Sequence, residues 1–200
     1  QKSIYLARAR VRHARRTRDP RSPLVPAEGS FPESFRAFAL NGAEILYRAS
    51  LPEPWVSREI FEVQNRSRAI DNTAYMIAPN TGSLIMPSES GGDPTIIDGA
   101  LGGRSSIIDY KGTILSQTDT VGDAYTASEI NIEALRHYRQ NARFQNWIPY
   151  LKTEIFKKLY DRPIWPSNLP PMNHDDAGNV FNDSIKKLIK SGIYTEKSKK

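Results

Sequence analysis

The stretch PAEGSFPESFRAFALNGAEIL, residues 26–46, decides how the rest of the chain is read. Phe35, Phe38, Ala39 and Leu40 recur at helical spacing, and Asn41-Gly42 supplies a helix stop. AEILYRA (43–49) follows as an apolar run with the length of a buried strand. Glu28 and Glu33 flank the helix start, where a carboxylate complements the positive end of the helix by about 0.3–1 kcal/mol. Glu33 and Arg36, three apart, can pair on one face. A carboxylate before a helix N-terminus could also orient a catalytic group, but local chemistry favours the structural role.

Working downstream, Trp55 and Val56 precede Ser57, a good N-cap, with Glu59 in the first turn. Residues 57–73 read as a helix with Ile60, Phe61, Val63 and Ile70 available for a core stripe. AYMIAPN (74–80) reads as a strand closed by the turn Asn80-Thr81-Gly82. The rhythm of helix, strand, helix, strand is that of α/β layers. Residues 82–105 are rich in Gly, Ser and Pro, with two short apolar pieces. SIIDYKGTILSQ (106–117) reads as a hairpin turning at Asp109-Tyr110-Lys111-Gly112. A helix is expected over 128–143, starting at Ser128. Residues 144–172 start helical and end in Pro-broken extended chain, and a last amphipathic helix is expected over 180–191, stopped by Gly192.

The 200 residues are 38% hydrophobic and 25% charged, which fits an ordinary soluble domain able to bury a core. No apolar run reaches the length of a membrane span. Cysteine is absent, which removes disulfides, zinc-thiolate sites and a thiol nucleophile from these residues. The net charge of +6 is uneven. Residues 1–22 hold Lys2 and seven arginines against Asp19, net +7, and residues 185–200 hold six lysines against Glu196, net +5. Residues 23–184 therefore carry −6. Three readings of the N-terminal segment stay open: a solvated, disordered arm, a phosphate-binding arm for nucleic acid, or a transit-like leader or foreign sequence. A nucleic-acid-binding domain places its positive charge on a structured face, whereas this body is acidic, so nucleic acid ranks last among partners.

Other local signals are weak. His13, His137 and His174 are scattered and form no zinc pattern. His174-Asp175-Asp176 sits among Pro, Asn and Gly and reads as solvated loop charge. Gly91-Gly92 and Gly102-Gly103-Arg104 match neither a dinucleotide nor a phosphate-loop pattern. Asn65-Arg66-Ser67 and Asn182-Asp183-Ser184 match glycosylation acceptors by chance, since both fall on expected helices.

Taken in order, the motifs resemble the nitrilase, or carbon-nitrogen hydrolase, superfamily. Glu28, Gly29, Phe31, Pro32, Glu33, Arg36, Asn41, Gly42, Ala43 and Glu44 match the segment around its nucleophile, Cys-Tyr-Glu/Asp-Gly-x-Phe-Pro-Glu-x-x-Arg followed by a helix and Asn-Gly-Ala-Glu. Arg68-Ala69-Ile70-Asp71-Asn72, Tyr75, Asn80 and Gly82 resemble its Arg-Ala-x-Glu-Asn helix end and the next strand. Gly103-Arg104-Ser105-Ser106-Ile107-Ile108-Asp109 with Gly112 resembles its Gly-x-Ser-x-Ile-x-Asp-x-x-Gly hairpin. The stretch from Asn146-Trp147 to Pro171-Met172 is similar to the C-terminal extension of some bacterial members.

The resemblance implies part of a four-layer α-β-β-α sandwich, arranged as a basic arm (1–22), the C-terminal half of the hydrolase domain (23–143) and a helical extension (144–200). It implies hydrolysis of a non-peptide C–N bond in a small amide, carbamoyl or nitrile compound, by a cysteine thiolate with a glutamate base and an assisting lysine. It implies no metal or organic cofactor, homo-oligomers, and a cytoplasmic setting without membrane attachment. The family cysteine aligns with Pro26, which has no nucleophilic side chain. The family places its base, lysine and second glutamate upstream, where residues 1–25 hold Lys2 as their one lysine and no glutamate. The expectation is a truncated or degenerate form that is inactive, either a pseudoenzyme associating with itself or with a full-length homologue, or a fragment. Glu28, Arg48 and Ser50 are the candidate substrate-binding residues, and Glu33 and Arg36 the candidate supports of the nucleophile turn.

Overall fold

The computed structural model describes residues 29–49, 58–86, 93, 95–98, 102–118, 124–161, 164, 166 and 174–196. The basic arm, Ser57 and Gly91-Gly92 lie outside the described residues. The chain divides into two compact units, Gln1–Tyr150 and Leu151–Lys200.

The first unit opens with helix α1, Pro32–Leu40. It ends where the Asn41 N–H reaches back to the Ala37 carbonyl and Gly42 takes φ +88°, a left-handed conformation that glycine adopts without a Cβ clash. Strand β1 (Ile45–Tyr47) leads through helix α2 (Arg58–Asn72) to strand β2 (Tyr75–Ala78), which pairs parallel to β1. A parallel pair needs such a crossover, and α2 supplies it. Strands β3 (Ser83–Met86) and β4 (Thr95–Asp98) form a separate antiparallel pair. These are the two apolar pieces of the Gly/Ser/Pro-rich stretch. Strands β5 (Ser106–Ile108) and β6 (Ile114–Gln117) make the expected hairpin and complete a four-stranded sheet in the order β1-β2-β5-β6.

Register explains the core. Leu46, Met76 and Ile108 stand opposite one another on three neighbouring strands, each at most 2% exposed. With Ala78 they pack beneath Phe35 of α1 and Phe61 and Ala69 of α2. Burying each large side chain contributes about 1.5–3 kcal/mol.

Helix α2 departs from the expected stripe. Ile60 and Val63 are exposed, at 60% and 65%, and the buried positions are Phe61, Asn65, Arg68, Ala69 and Asn72. These recur at the 3.6-residue period, whereas Ile60 and Val63 fall on the outer side. The helix therefore turns three polar side chains toward the core, an arrangement apolar counting cannot find.

Helix α3 spans Ile132–Asn141 rather than starting near Ser128. Asn131 caps it by accepting from the Ala134 N–H at 2.9 Å. The Tyr75 hydroxyl bonds both the N–H and the carbonyl of Asn131, which holds that residue extended and sets the boundary.

In the second unit, helix α4 covers Thr153–Leu159 and helix α5 covers His174–Lys190. The latter begins six residues before the expected start, and His174-Asp175-Asp176 is its first turn rather than a loop. The carboxylate of Asp176 there complements the partial positive charge of the helix N-terminus. Gly192, at φ +75°, ends it as expected. Among the described residues no helix is long and apolar enough to cross a membrane.

Candidate functional site

Because β1 and β2 are parallel, their C-terminal ends share one end of the sheet, and β5, antiparallel to β2, begins there. The turn at Gly29–Ser30, which enters α1, reaches this end through Arg48, the residue that follows β1.

Arg48 is 3% exposed, and its backbone N–H donates to the Ile77 carbonyl. Its Nη1 donates to Gln64 Oε1 at 2.8 Å and to Asn65 Oδ1 at 3.3 Å, while Nη2 approaches Ser30 Oγ at 3.5 Å. The guanidinium carbon lies 4.6 Å from the centre of the Phe61 ring, a cation–π arrangement sheltered from water. Burying a cation is costly unless donors are matched, and α2 offers Nη1 amide oxygens from two consecutive residues. Arg68 Nη2 donates to the Ser30 carbonyl at 3.2 Å, so two buried arginines hold one turn residue, one by its side chain and one by its backbone.

Asp71 lies behind them. It accepts from Ser67 Oγ at 3.1 Å and stands 4.0 Å from Arg68 Nη1. It also supports the charge of Arg36, whose pKa burial pushes below the usual guanidinium value. Among the described residues, the buried N–H donors at Arg36 Nη1, Asn65 Nδ2 and Arg68 Nε meet no acceptor. This rim is rich in donors.

The opposite side of the same end is a lock between two turns. Asn80 N–H donates to Ser105 Oγ at 3.0 Å, and that hydroxyl donates back to the Asn80 carbonyl at 3.1 Å. Asn80 Nδ2 donates to the Gly103 carbonyl at 2.9 Å. Gly102, Gly103 and Arg104 all have positive φ, of 72°, 56° and 59°, so the backbone reverses left-handedly into β5. Arg104 then meets Glu62 of α2 at 3.5 Å, and Gln117 Nε2 donates to the same carboxylate at 3.3 Å.

A family model described as carbon-nitrogen hydrolase matches residues 23–140. The chain belongs to the carbon-nitrogen hydrolase family. The crystal structure of a carbon-nitrogen hydrolase from Helicobacter pylori G27 is similar with a TM-score of 0.52 at 22% identity, over 68% of this chain and 47% of that one. The C. elegans NitFhit protein gives 0.49 at 20% identity over 64% and 28%. Saccharomyces cerevisiae Nit3, a member of branch 10 of the nitrilase superfamily, gives 0.45 at 20% over 60% and 40%. This carbon-nitrogen hydrolase chain spans about half the length of the Helicobacter structure it matches. Helices α1 and α2 on one face of the sheet are part of the four-layer α-β-β-α sandwich.

Of the candidate residues, Pro26, Glu28 and Ser50 lie outside the described residues. Arg48 points inward and is engaged by α2. Glu33 is exposed in the first turn of α1, and Arg36 is half-buried on the same helix. Gln64, Asn65 and Ser30, which hold Arg48, were not candidates. Their signal in the sequence is Asn65-Arg68-Asn72, polar residues on the face that also carries Phe61 and Ala69. Asn65 is fully buried, so as folded it is no glycan acceptor.

Proposed function

We propose that this chain carries the carbon-nitrogen hydrolase scaffold, built around small amide, carbamoyl or nitrile compounds, and does not itself turn them over. The observation that carries the reading is Pro26, which stands where the family motif has its nucleophilic cysteine, in a sequence without any cysteine. Covalent catalysis there needs a thiolate to attack the substrate carbon, and a proline ring offers neither nucleophile nor N–H. The motif residues around it remain, and the Arg48–Arg68 clamp on Gly29–Ser30 keeps the turn ordered. Glu28, Arg48 and Ser50 border the pocket in this reading, with Glu33 and Arg36 supporting the turn. It includes association between copies and a cytoplasmic setting.

The test is a hydrolysis assay with aliphatic amides, carbamoyl amino acids and nitriles, on protein whose Pro26 is verified by mass spectrometry. Release of ammonia at the buffer rate is expected. Turnover proportional to active sites overturns the reading.

A second reading, a pseudoenzyme that pairs with itself or with a full-length homologue, is favoured by β1. Among the described residues this strand has one hydrogen-bonded neighbour, and Tyr47 on it is 54% exposed. An open edge beside an exposed aromatic ring invites another chain. Stoichiometric co-purification with a homologue supports it, and a lone monomer opposes it.

A further inference from the structure

The end of the sheet remote from Arg48 holds a cleft that the hydrolase reading does not use. Since Ile108 pairs with Met76 and Ser106 with Ala78, the turn after β5 lies beside the start of β2, opposite the Gly29–Ser30 end. That turn is rigid. Asp109 Oδ1 accepts from the N–H groups of Lys111 and Thr113, both at 2.8 Å, and the Gly112 carbonyl accepts from Arg66 Nε at 2.9 Å. Gly112 sits at φ +80°, and a Cβ there would meet Ile70 Cδ1 at 2.6 Å, so the turn lies tight against α2.

The turn presents Tyr110 and Lys111 toward Tyr138 of α3. Tyr75 meets Tyr110 edge-on at 5.3 Å, and Tyr110 meets Tyr138 at 4.9 Å. Tyr138 Oη donates to Gln145 Oε1 at 2.8 Å, and the Trp147 indole is fixed by its N–H on the Phe144 carbonyl at 2.9 Å. Lys111 Nζ lies 5.2 Å from the Tyr138 ring centre and 5.8 Å from that of Tyr110. Two hollows have this lysine in their walls. One, of about 230 Å³, is lined by Ile70, Tyr110, Lys111, Tyr138, Gln145 and Trp147. The other, of about 470 Å³, shares Tyr110, Lys111 and Tyr138 and adds His137 and Asn141.

We propose that this cleft binds a small planar aromatic anion, its ring against Trp147 and Tyr138 and its carboxylate on Lys111. Aromatic walls offer stacking faces, and an ammonium beside them selects a negative substituent. The walls are held by backbone and side-chain hydrogen bonds before any ligand arrives, so little ordering entropy is lost on binding. Lys111 lines both hollows, whereas the carboxylate of Asp109 is turned onto the backbone N–H groups of Lys111 and Thr113, from where its charge still reaches Tyr138.

Naphthoate is the probe, titrated into the full chain with binding read by amide shifts in nitrogen-resolved NMR, and naphthyl methyl ketone is the neutral control. Saturable shifts centred on Tyr110, Lys111, Tyr138 and Trp147 are expected. Lys111→Gln, at an exposed position, should weaken naphthoate by about tenfold and leave the ketone within about twofold, the discrimination of one charge-assisted hydrogen bond. Trp147→Ala should weaken both. Shifts that do not saturate, that centre on Arg48 or Arg104, or that Lys111→Gln leaves unchanged overturn the proposal. Hydrolytic activity does not enter the measurement, so the site stands or falls apart from the catalytic reading.

Discussion

The side chain of Arg48 occupies the space that a Cβ on Gly29 would need. A methyl group built on Gly29 would lie 2.5 Å from Arg48 Nε and 2.9 Å from its Cδ, and Arg48 cannot move aside without leaving Gln64 and Asn65. Gly29→Ala is therefore expected to cost about 1–3 kcal/mol by overpacking. Arg48→Ala removes the obstacle along with the hydrogen bonds, so Gly29→Ala added to it should cost much less than it does alone. Urea melts of the two single variants and the double variant measure the coupling, and additive losses would show that the contact is not shared.

Thr73 is a β-branched residue at φ 48°, a conformation that costs about 1–3 kcal/mol and persists only where neighbours enforce it. Its hydroxyl donates to Asn146 Oδ1 at 3.1 Å, and its carbonyl accepts from Arg139 Nε at 2.8 Å. Arg139 Nη2 also donates to the Ala43 carbonyl at 2.7 Å, so one guanidinium ties the α1–β1 corner to the α2–β2 corner. Arg139→Ala should destabilise by about 2–3 kcal/mol, since it orphans two carbonyls. Thr73→Gly should cost less than Asn146→Ala, because it loses the same bond and relieves the strain. Thermal melts rank the three.

Glu44 accepts from Arg136 Nε at 2.7 Å and from Nη2 at 3.0 Å, and this pairing holds its carboxyl below the usual carboxylate value near 4.5. A carboxyl whose pKa is lower folded than unfolded stabilises the fold above its unfolded pKa. That contribution fades as pH falls through the folded value. Stability should therefore drop on acidification below about pH 4.5 and drop less steeply in Glu44→Gln. The pair is partly exposed, so the effect should shrink in high salt. Denaturant titrations from pH 7 to pH 3 at two salt concentrations check this.

Met76 stands at the centre of the row Leu46–Met76–Ile108 and is fully buried. Met76→Ala should cost about 2–5 kcal/mol. Val63→Ala, on the outer side of α2, should stay within about 0.5 kcal/mol. Equal losses would mean that α2 buries a different face.

Tyr47, Ile60 and Val63 leave large apolar surface exposed, at 54%, 60% and 65%, and surface of that kind promotes association. Sedimentation velocity on the chain should show mass rising with concentration, and Tyr47→Lys should reduce it. A monodisperse, cooperatively melting monomer would contradict this expectation.

Much of the layering is legible in sequence because short-range rules govern it. The 35–40 spacing, the Asn41-Gly42 stop, the apolar runs and the Asp109–Gly112 turn locate α1, β1, β2 and the hairpin within a few residues. The misplaced boundaries have long-range causes. The start of α3 depends on Tyr75, 56 residues away in sequence. The inner face of α2 is partly polar, so hydrophobic counting found Phe61 but added Ile60 and Val63, which are exposed.

Sequence alone determined the family motif, the α/β order, the uneven charge and the proline at the nucleophile position, since each is a matter of residue identity and near-neighbour spacing. Only the tertiary structure shows what holds Arg48. Its guanidinium is buried because Gln64, Asn65 and Ser30, distant in sequence, supply oxygens to it. The Tyr110–Lys111–Tyr138 cleft likewise exists only through folding, which brings Tyr110 of a hairpin turn against Tyr138 of a helix 28 residues further on.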